Sequence, residues 1–212
     1  MVFAYTDGQM QLFFQAIHKY SGRNFGNSSY YKDRDVMMIK FSYYLGLRLS
    51  EVASAHVSCI DFKNNVYAIY SSVAKKGSGG LLPIPLTFFD ELIDYINKYN
   101  LKTWLFLSRT RKGLLRKSAG HISFRGVGFR FGIYRKIAGL DFVKDYSTNG
   151  HRLHLMRFHD LRGTIASKLE MAGVRYKIIQ NLLRHKHFFS TCRYLADSKF
   201  DDRVDAVNKV FN

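Results

Sequence analysis

The sequence predicts a mainly α-helical chain built around a small antiparallel β-sheet, an α+β fold. Apolar residues recur at helical spacing over the first 45 residues and again over the last third. Between Ser58 and Leu86 the pattern changes to strand-like alternation, broken by two turn signals at Asn64-Asn65 and at Lys75 to Gly80. The 212 residues, 47% of them apolar, suffice for one sizeable core. Cys59 and Cys192 stand in unrelated contexts and offer neither a disulfide framework nor zinc spacing, which fits a reducing cytosol.

Charge narrows the class of partner. Lys and Arg outnumber Asp and Glu by 33 to 16, a formal +17, more than a small neutral substrate requires. A polyanion, most simply nucleic acid, is the expected partner. The N-terminus lacks a basic region followed by an apolar one, and no uncharged apolar run approaches a membrane span. A cytoplasmic protein with a polyanionic partner is therefore expected, with DNA, RNA and an anionic membrane surface all open on charge alone.

Thr6 or Asp7 caps a first helix to about Tyr20, with Met10, Phe13, Phe14 and Ile17 inward. Residues 21–29 read as a loop. A second helix runs from about Tyr31 to Leu45 and ends at Gly46, after which Gly46 to Val52 opens a short third helix. Strands are expected at Ile60 to Phe62, Val66 to Val73 and Leu81 to Pro85, with the glycine-rich tip Lys75 to Gly80 between the last two. That tip lacks P-loop spacing and joins strand to strand, so it is no nucleotide cradle. Thr87 caps a helix to about Tyr99, and Trp104 to Leu107 is a short buried segment. A basic stretch follows, then a glycine-containing helix from Ser118 to about Ala138 carrying Arg125, Arg130, Arg135 and Lys136, then a connector over 139–156. The last third predicts helices over 159–172 (stopped by Gly173), 174–184, 190–197 and 200–211.

Chemistry concentrates in that last third. His159 and Arg162 are three apart and share a helix face. Leu182-Leu183-Arg184-His185 follows, then Tyr194 in a polar stretch. A fixed cation, two proton-carrying groups and a phenol are what attack on a phosphodiester requires. Tyr176 sits at an exposed helical position and is not favoured as nucleophile.

This constellation resembles the catalytic domain of tyrosine recombinases, the phage-type integrases. Their His-x-x-Arg matches His159 and Arg162, their Leu-Leu-Gly-His matches Leu182 to His185 with Arg184 in place of glycine, and their tyrosine nine residues on matches Tyr194. Their Gly-Leu-Arg-x-Ser-Glu matches Gly46-Leu47-Arg48-Leu49-Ser50-Glu51. Read alone, that hexapeptide is a helix-start capping pattern with an Arg–Glu pair. Gly163 also departs from a common histidine, and Arg184 adds charge beside His185.

The resemblance implies a tyrosine recombinase catalytic-domain-like fold over 1–212, without the N-terminal core-binding domain, similar to short members such as fimbrial phase-variation invertases. It implies a C-terminal helix, 198–212, packing on a neighbouring subunit. Tyr194 would attack the scissile phosphate and leave a 3′-phosphotyrosyl link, Arg48 and Arg162 would hold the non-bridging oxygens, and His159 and His185 would assist. The hairpin lysine, Lys76 with Lys75 as the alternative, would protonate the leaving oxygen, and Glu51 would support the site. Lys75, Arg109, Arg111, Lys112, Arg116 and Lys117 are DNA-binding candidates. No metal or other cofactor is implied. The expected partners are double-stranded DNA, a homotetramer on it and an accessory DNA-binding protein. The function implied is site-specific recombination. Alternatives are a type IB topoisomerase-like nicking and resealing enzyme, or a non-catalytic DNA-binding accessory protein.

Overall fold

Helix α2 (Ser29–Leu45) runs through the middle of the molecule. It has no clean amphipathic stripe because it is covered on most of its circumference: Tyr30, Tyr31, Met38, Phe41 and Leu45 are buried, and so are Arg34, Asp35 and Ser42. The computed structural model describes residues 4–20, 29–70, 79–108, 120–146, 152–154 and 156–192. Helices α1 (Asp7–Lys19) and α4 (Leu86–Lys98) pack against α2, and α6 (Asp160–Met171) lies along it as well. Met10, Phe13 and Ile17 of α1 meet Phe131 and Tyr134 of α5 (Phe124–Ile137) in the main core.

The ends of α1 and α4 show how local chemistry sets boundaries. Thr6 caps α1 in a full capping box: its hydroxyl accepts from the Gln9 N–H at 3.2 Å, and Gln9 Oε1 accepts from the Thr6 N–H at 2.9 Å. Such a cap contributes about 0.5–2 kcal/mol. For α4 the expected cap, Thr87, lies inside the helix. Pro85 takes the cap position, its ring-fixed φ of −57° leading straight into the first turn without a side-chain bond.

The sheet is antiparallel in the order β1 (Ile60–Asp61), β2 (Val66–Ile69), β3 (Gly80–Pro83). Asn65, at φ +55°, makes the first turn, as its Asn-Asn pair predicts. Tyr67 faces Ile60 on one side and Leu82 on the other, and its ring meets Phe41 of α2 edge-on at 4.9 Å. The sheet is thereby pinned to the central helix.

Two expectations need correction between residues 118 and 156. Helix α5 begins at Phe124, capped by the Ser123 hydroxyl, not at Ser118. Residues 120–122 are extended, because Ser108 donates to the Gly120 carbonyl at 2.7 Å and Ile122 to the Phe106 carbonyl at 2.8 Å. The glycines do not break α5, since Val127, Phe131 and Tyr134 are buried on its other side. Of these glycines, Gly128 lies against a neighbouring helix, where an added Cβ would sit 3.5 Å from Leu49. The supposed connector holds a two-stranded antiparallel ladder, β4 (Val143–Tyr146) with β5 (Arg152–His154).

The C-terminal third is helical as expected. Gly173 ends α6 at φ +73°, and α7 (Tyr176–Leu182) and α8 (Phe189–Cys192) follow. Ala166, Ile179 and Leu183 form a second, smaller core between α6 and α7. The predicted helix 200–211 lies outside the described residues. Among the described residues no helix is long and apolar enough to cross a membrane.

Candidate active site

The site begins at the end of α2. Gly46 takes φ +60°, a conformation open to glycine, and turns the chain into α3 (Leu49–Ala53). The close packing there also demands glycine: an added Cβ would lie 3.0 Å from Leu183 and 3.3 Å from Ile165. The carbonyl of this turn accepts a buried hydrogen bond from Nη1 of Arg162, whose side chain is fully buried in α6. One glycine thus joins the first candidate motif to the second.

Arg48 occupies the N-cap of α3. Its N–H donates to Glu51 Oε2 at 2.8 Å, and its Nη1 donates to Glu51 Oε1 at 2.8 Å. The Glu51 side chain is 1% exposed, whereas Arg48 is 21% exposed and faces outward from the pair. A second guanidinium closes on the same carboxylate: Arg184 donates to Oε1 at 3.2 Å and to Oε2 at 2.9 Å. Burial raises the Glu51 pKa, but the bonds and charge of Arg184, followed by those of Arg48, outweigh it and hold the carboxyl below its ordinary range. The expected extra charge beside His185 is therefore spent mainly on Glu51.

His159 caps α6 from a helical conformation, with an exposed side chain, three residues before Arg162. Desolvation first and the Arg162 charge second lower its pKa; Arg157 and Arg48 add to this and Asp160 opposes it. His185 follows Arg184 in the turn after α7. Its pKa is lowered to about 3, first by desolvation, then by Arg162, Arg48, His159 and Arg184. Charged and titratable residues at α3, in α6 and in the α7–α8 turn all act on this imidazole. At neutral pH both imidazoles stand uncharged among guanidiniums.

The supports of His185 are ones that motif spacing did not single out. Its Nδ1 lies 3.0 Å from the hydroxyl of Thr191, a side chain with no exposure, at the start of α8. Gln180 donates to the His185 carbonyl at 3.0 Å and accepts from its N–H at 3.0 Å through its own carbonyl. The threonine could have been found as a small polar residue inside the stretch leading to Tyr194; nothing in the sequence marked Gln180.

Arg48, Glu51, His159, Arg162 and His185 lie in one neighbourhood of the structure. Lys75, Lys76, Tyr194, Arg109, Arg111, Lys112, Arg116 and Lys117 lie outside the described residues. Arg130 and Arg135, two of the cations carried by α5, are buried: Arg130 pairs with Asp35, and Arg135 with Asp141 at 2.7 Å. Among the described residues no group of three or more His, Cys, Asp or Glu side chains could hold a metal ion.

Comparison with known proteins places the chain in a family and among chains of the same fold. The model of the phage integrase family matches residues 6–200. A tyrosine recombinase of Pseudothermotoga lettingae is 27% identical over 179 residues, which are 84% of this chain and 54% of that protein. The crystal structure of XerA recombinase superposes with a TM-score of 0.66 at 13% identity, covering all of this chain and 65% of that one. The Tn1549 transposon integrase, solved with transposon right-end DNA, gives 0.69 at 18% identity over 99% of this chain and 66% of its own. XerH bound to its difH substrate before cleavage gives 0.68 at 14% identity over 99% and 54%. The chain thus spans about half the length of the curated relative and under two thirds to about two thirds of these solved chains.

Proposed function

The chain belongs to the phage integrase family, and from that premise we propose that it is a site-specific DNA recombinase that cuts and rejoins DNA through a 3′-phosphotyrosyl intermediate. The observation that carries this reading is the convergence of Arg48, Arg162, His159 and His185 on one electrostatic neighbourhood from three separate parts of the chain. Two guanidiniums and two neutral imidazoles suit a phosphodiester. The cations complement the non-bridging oxygens, and the imidazoles accept or donate protons.

Tyr194 is the nucleophile in this reading. A phenol with a pKa of about 10 does not ionise unaided at neutral pH. His159, held neutral, is the acceptor or relay for its proton. If Thr191 donates to His185 Nδ1, the neutral ring carries its own proton on Nε2 and directs it at a phosphate oxygen. Lys76, with Lys75 as the alternative, protonates the leaving 5′-oxygen. The covalent link conserves the bond energy, and attack by a partner strand's 5′-hydroxyl completes exchange. Double-stranded DNA is the proposed substrate, consistent with DNA-bound relatives such as the Tn1549 integrase and XerH. A homotetramer working through a Holliday junction follows, with 198–212 as the segment reaching a neighbouring subunit.

The test is covalent capture. Purified protein is incubated with nicked suicide duplexes drawn from DNA flanking its own gene, and protein–DNA adducts are resolved under denaturing conditions. The expected outcome is an adduct that Tyr194→Phe abolishes while duplex affinity stays within about twofold. An adduct that survives in Tyr194→Phe removes Tyr194 as nucleophile. Tight binding with no adduct in the wild type sinks the enzyme reading and leaves a binding protein.

A further inference from the structure

Three non-glycine residues among those described have positive φ: Asn65, Asn100 and Arg184. Asparagine tolerates this region because its short side chain bonds locally, whereas arginine has no such relief. At φ +52° Arg184 stands where a glycine would be unconstrained. Its side chain does not escape to water. It is 4% exposed, and its two terminal nitrogens fork onto both oxygens of Glu51.

The path of the side chain gives the turn a purpose. Its stem lies against Gly80, the first residue of β3, where an added Cβ would stand 3.3 Å from Arg184 Cδ and 3.5 Å from Cγ. Its head meets α3, and its backbone leads directly into His185. Arg184 therefore touches three segments at once: the helix start that presents Arg48, the base of the β2–β3 hairpin, and the turn that presents His185. Glu51 accepts four bonds, two from Arg48 and two from Arg184. With Arg184 filling the buried flank of the carboxylate, Arg48 is confined to the outer flank, where it reaches the surface.

We propose that Arg184 is a positioning residue, an internal tie that fixes Arg48 through Glu51 and sets His185 against the same phosphate without itself touching DNA. The proposal rests on the recombinase reading above for its functional consequence, but the tie itself can be measured without DNA.

Two measurements test it. In single-turnover cleavage of the suicide duplex, Arg184→Gly relieves the left-handed backbone yet removes the tie. The expected result is a cleavage rate per folded molecule lower by about tenfold to a hundredfold, the scale of a small misplacement of reacting groups, with duplex affinity within about twofold; the thermal midpoint falls, because a buried pair loses one partner. Arg184→Lys, which restores one cation, recovers part of the rate. A glycine variant that cleaves at the wild-type rate overturns the proposal while leaving the recombinase reading intact; a wild type that forms no adduct strikes the reading instead.

The second measurement follows the Glu51 carboxyl carbon by NMR without DNA. Among the described residues Arg48, the cap of the same helix, also acts on Glu51, and Tyr67 on β2 feels the Glu51 charge. With Arg184 replaced by glycine, Glu51 is expected to titrate at a higher pH than in the wild type. Identical titrations would show that the two side chains are not coupled and would overturn the tie whatever the cleavage result.

Discussion

Two buried carboxylates in this molecule each sit between two arginines, and they do opposite work. Asp35, on α2, receives Arg34 at 2.8 Å and Arg130 Nε at 2.6 Å, with the Tyr134 hydroxyl bonded to the same oxygen as Arg130. Arg34 and Arg130 are 3% and 9% exposed, so every charge of this cluster is sealed. Arg34 also donates to the Leu107 carbonyl at 2.8 Å, which ties the segment before the basic stretch to α2. Glu51 has the same arrangement with one difference. Arg184 is sealed at 4% exposure, but Arg48 reaches the surface at 21%. The first cluster locks helices together. The second is the same lock with one cation turned outward, which makes it a means of presenting charge. Exposure of a single guanidinium separates a structural cluster from a candidate catalytic one.

The comparison breaks most visibly in stability. Asp35→Asn leaves two sealed guanidiniums facing an amide and is expected to cost about 3–5 kcal/mol, the scale for breaking a buried pair, measured by urea unfolding. Its cleavage rate per folded molecule, counted by active-site titration, should stay near wild type. A loss below about 1 kcal/mol would mean that the Asp35 cluster is not the lock described here.

Glu51→Gln should cost less stability, about 1–3 kcal/mol, because Arg48 can turn to water. It should cut cleavage per folded molecule by about tenfold or more. If the two substitutions swap these profiles, the distinction between lock and presenter fails.

A third effect concerns pH. An unfolded chain protonates His185 near its ordinary 6.5, while the folded site holds it neutral down to about 3. Unfolding therefore takes up a proton between those values, and stability falls as pH drops from about 6.5 toward 3. His185→Gln should flatten that part of the stability profile relative to wild type. Superimposable slopes would mean that the site does not hold this ring neutral.

Motifs were legible where the chemistry is local. Gly46 to Glu51 could be read because one turn places the cap, its arginine and its acid within six residues. His159 and Arg162 could be read because three residues make one helical face. What depends on distant contacts was not legible. The start of α5 at Phe124 is set by a ladder between 106–108 and 120–122, which propensity around Ser118 does not encode. Arg130 and Arg135 look like surface cations in sequence, yet their partners, Asp35 and Asp141, make them interior. The β4–β5 ladder had a signal, the Asn149-Gly150 pair, flanked by strands too short and polar to stand out. Arg184 read as a departure from a pattern, and only its contact with Glu51, 133 positions away, gave it a role.

Those spans also set an order in time. Arg162 bonds the Gly46 carbonyl across 116 positions, and the Tyr5 N–H bonds Thr164 across 159. During synthesis a chain that has released α1 to α5 already carries Arg48 and Glu51, but His159, Arg162, His185 and Tyr194 are still unmade. Contacts this distant along the chain form slowly and late. A ribosome-bound or prematurely terminated product therefore carries the basic charge of its released segments without an assembled phosphate site, which is complete only when translation has passed His185.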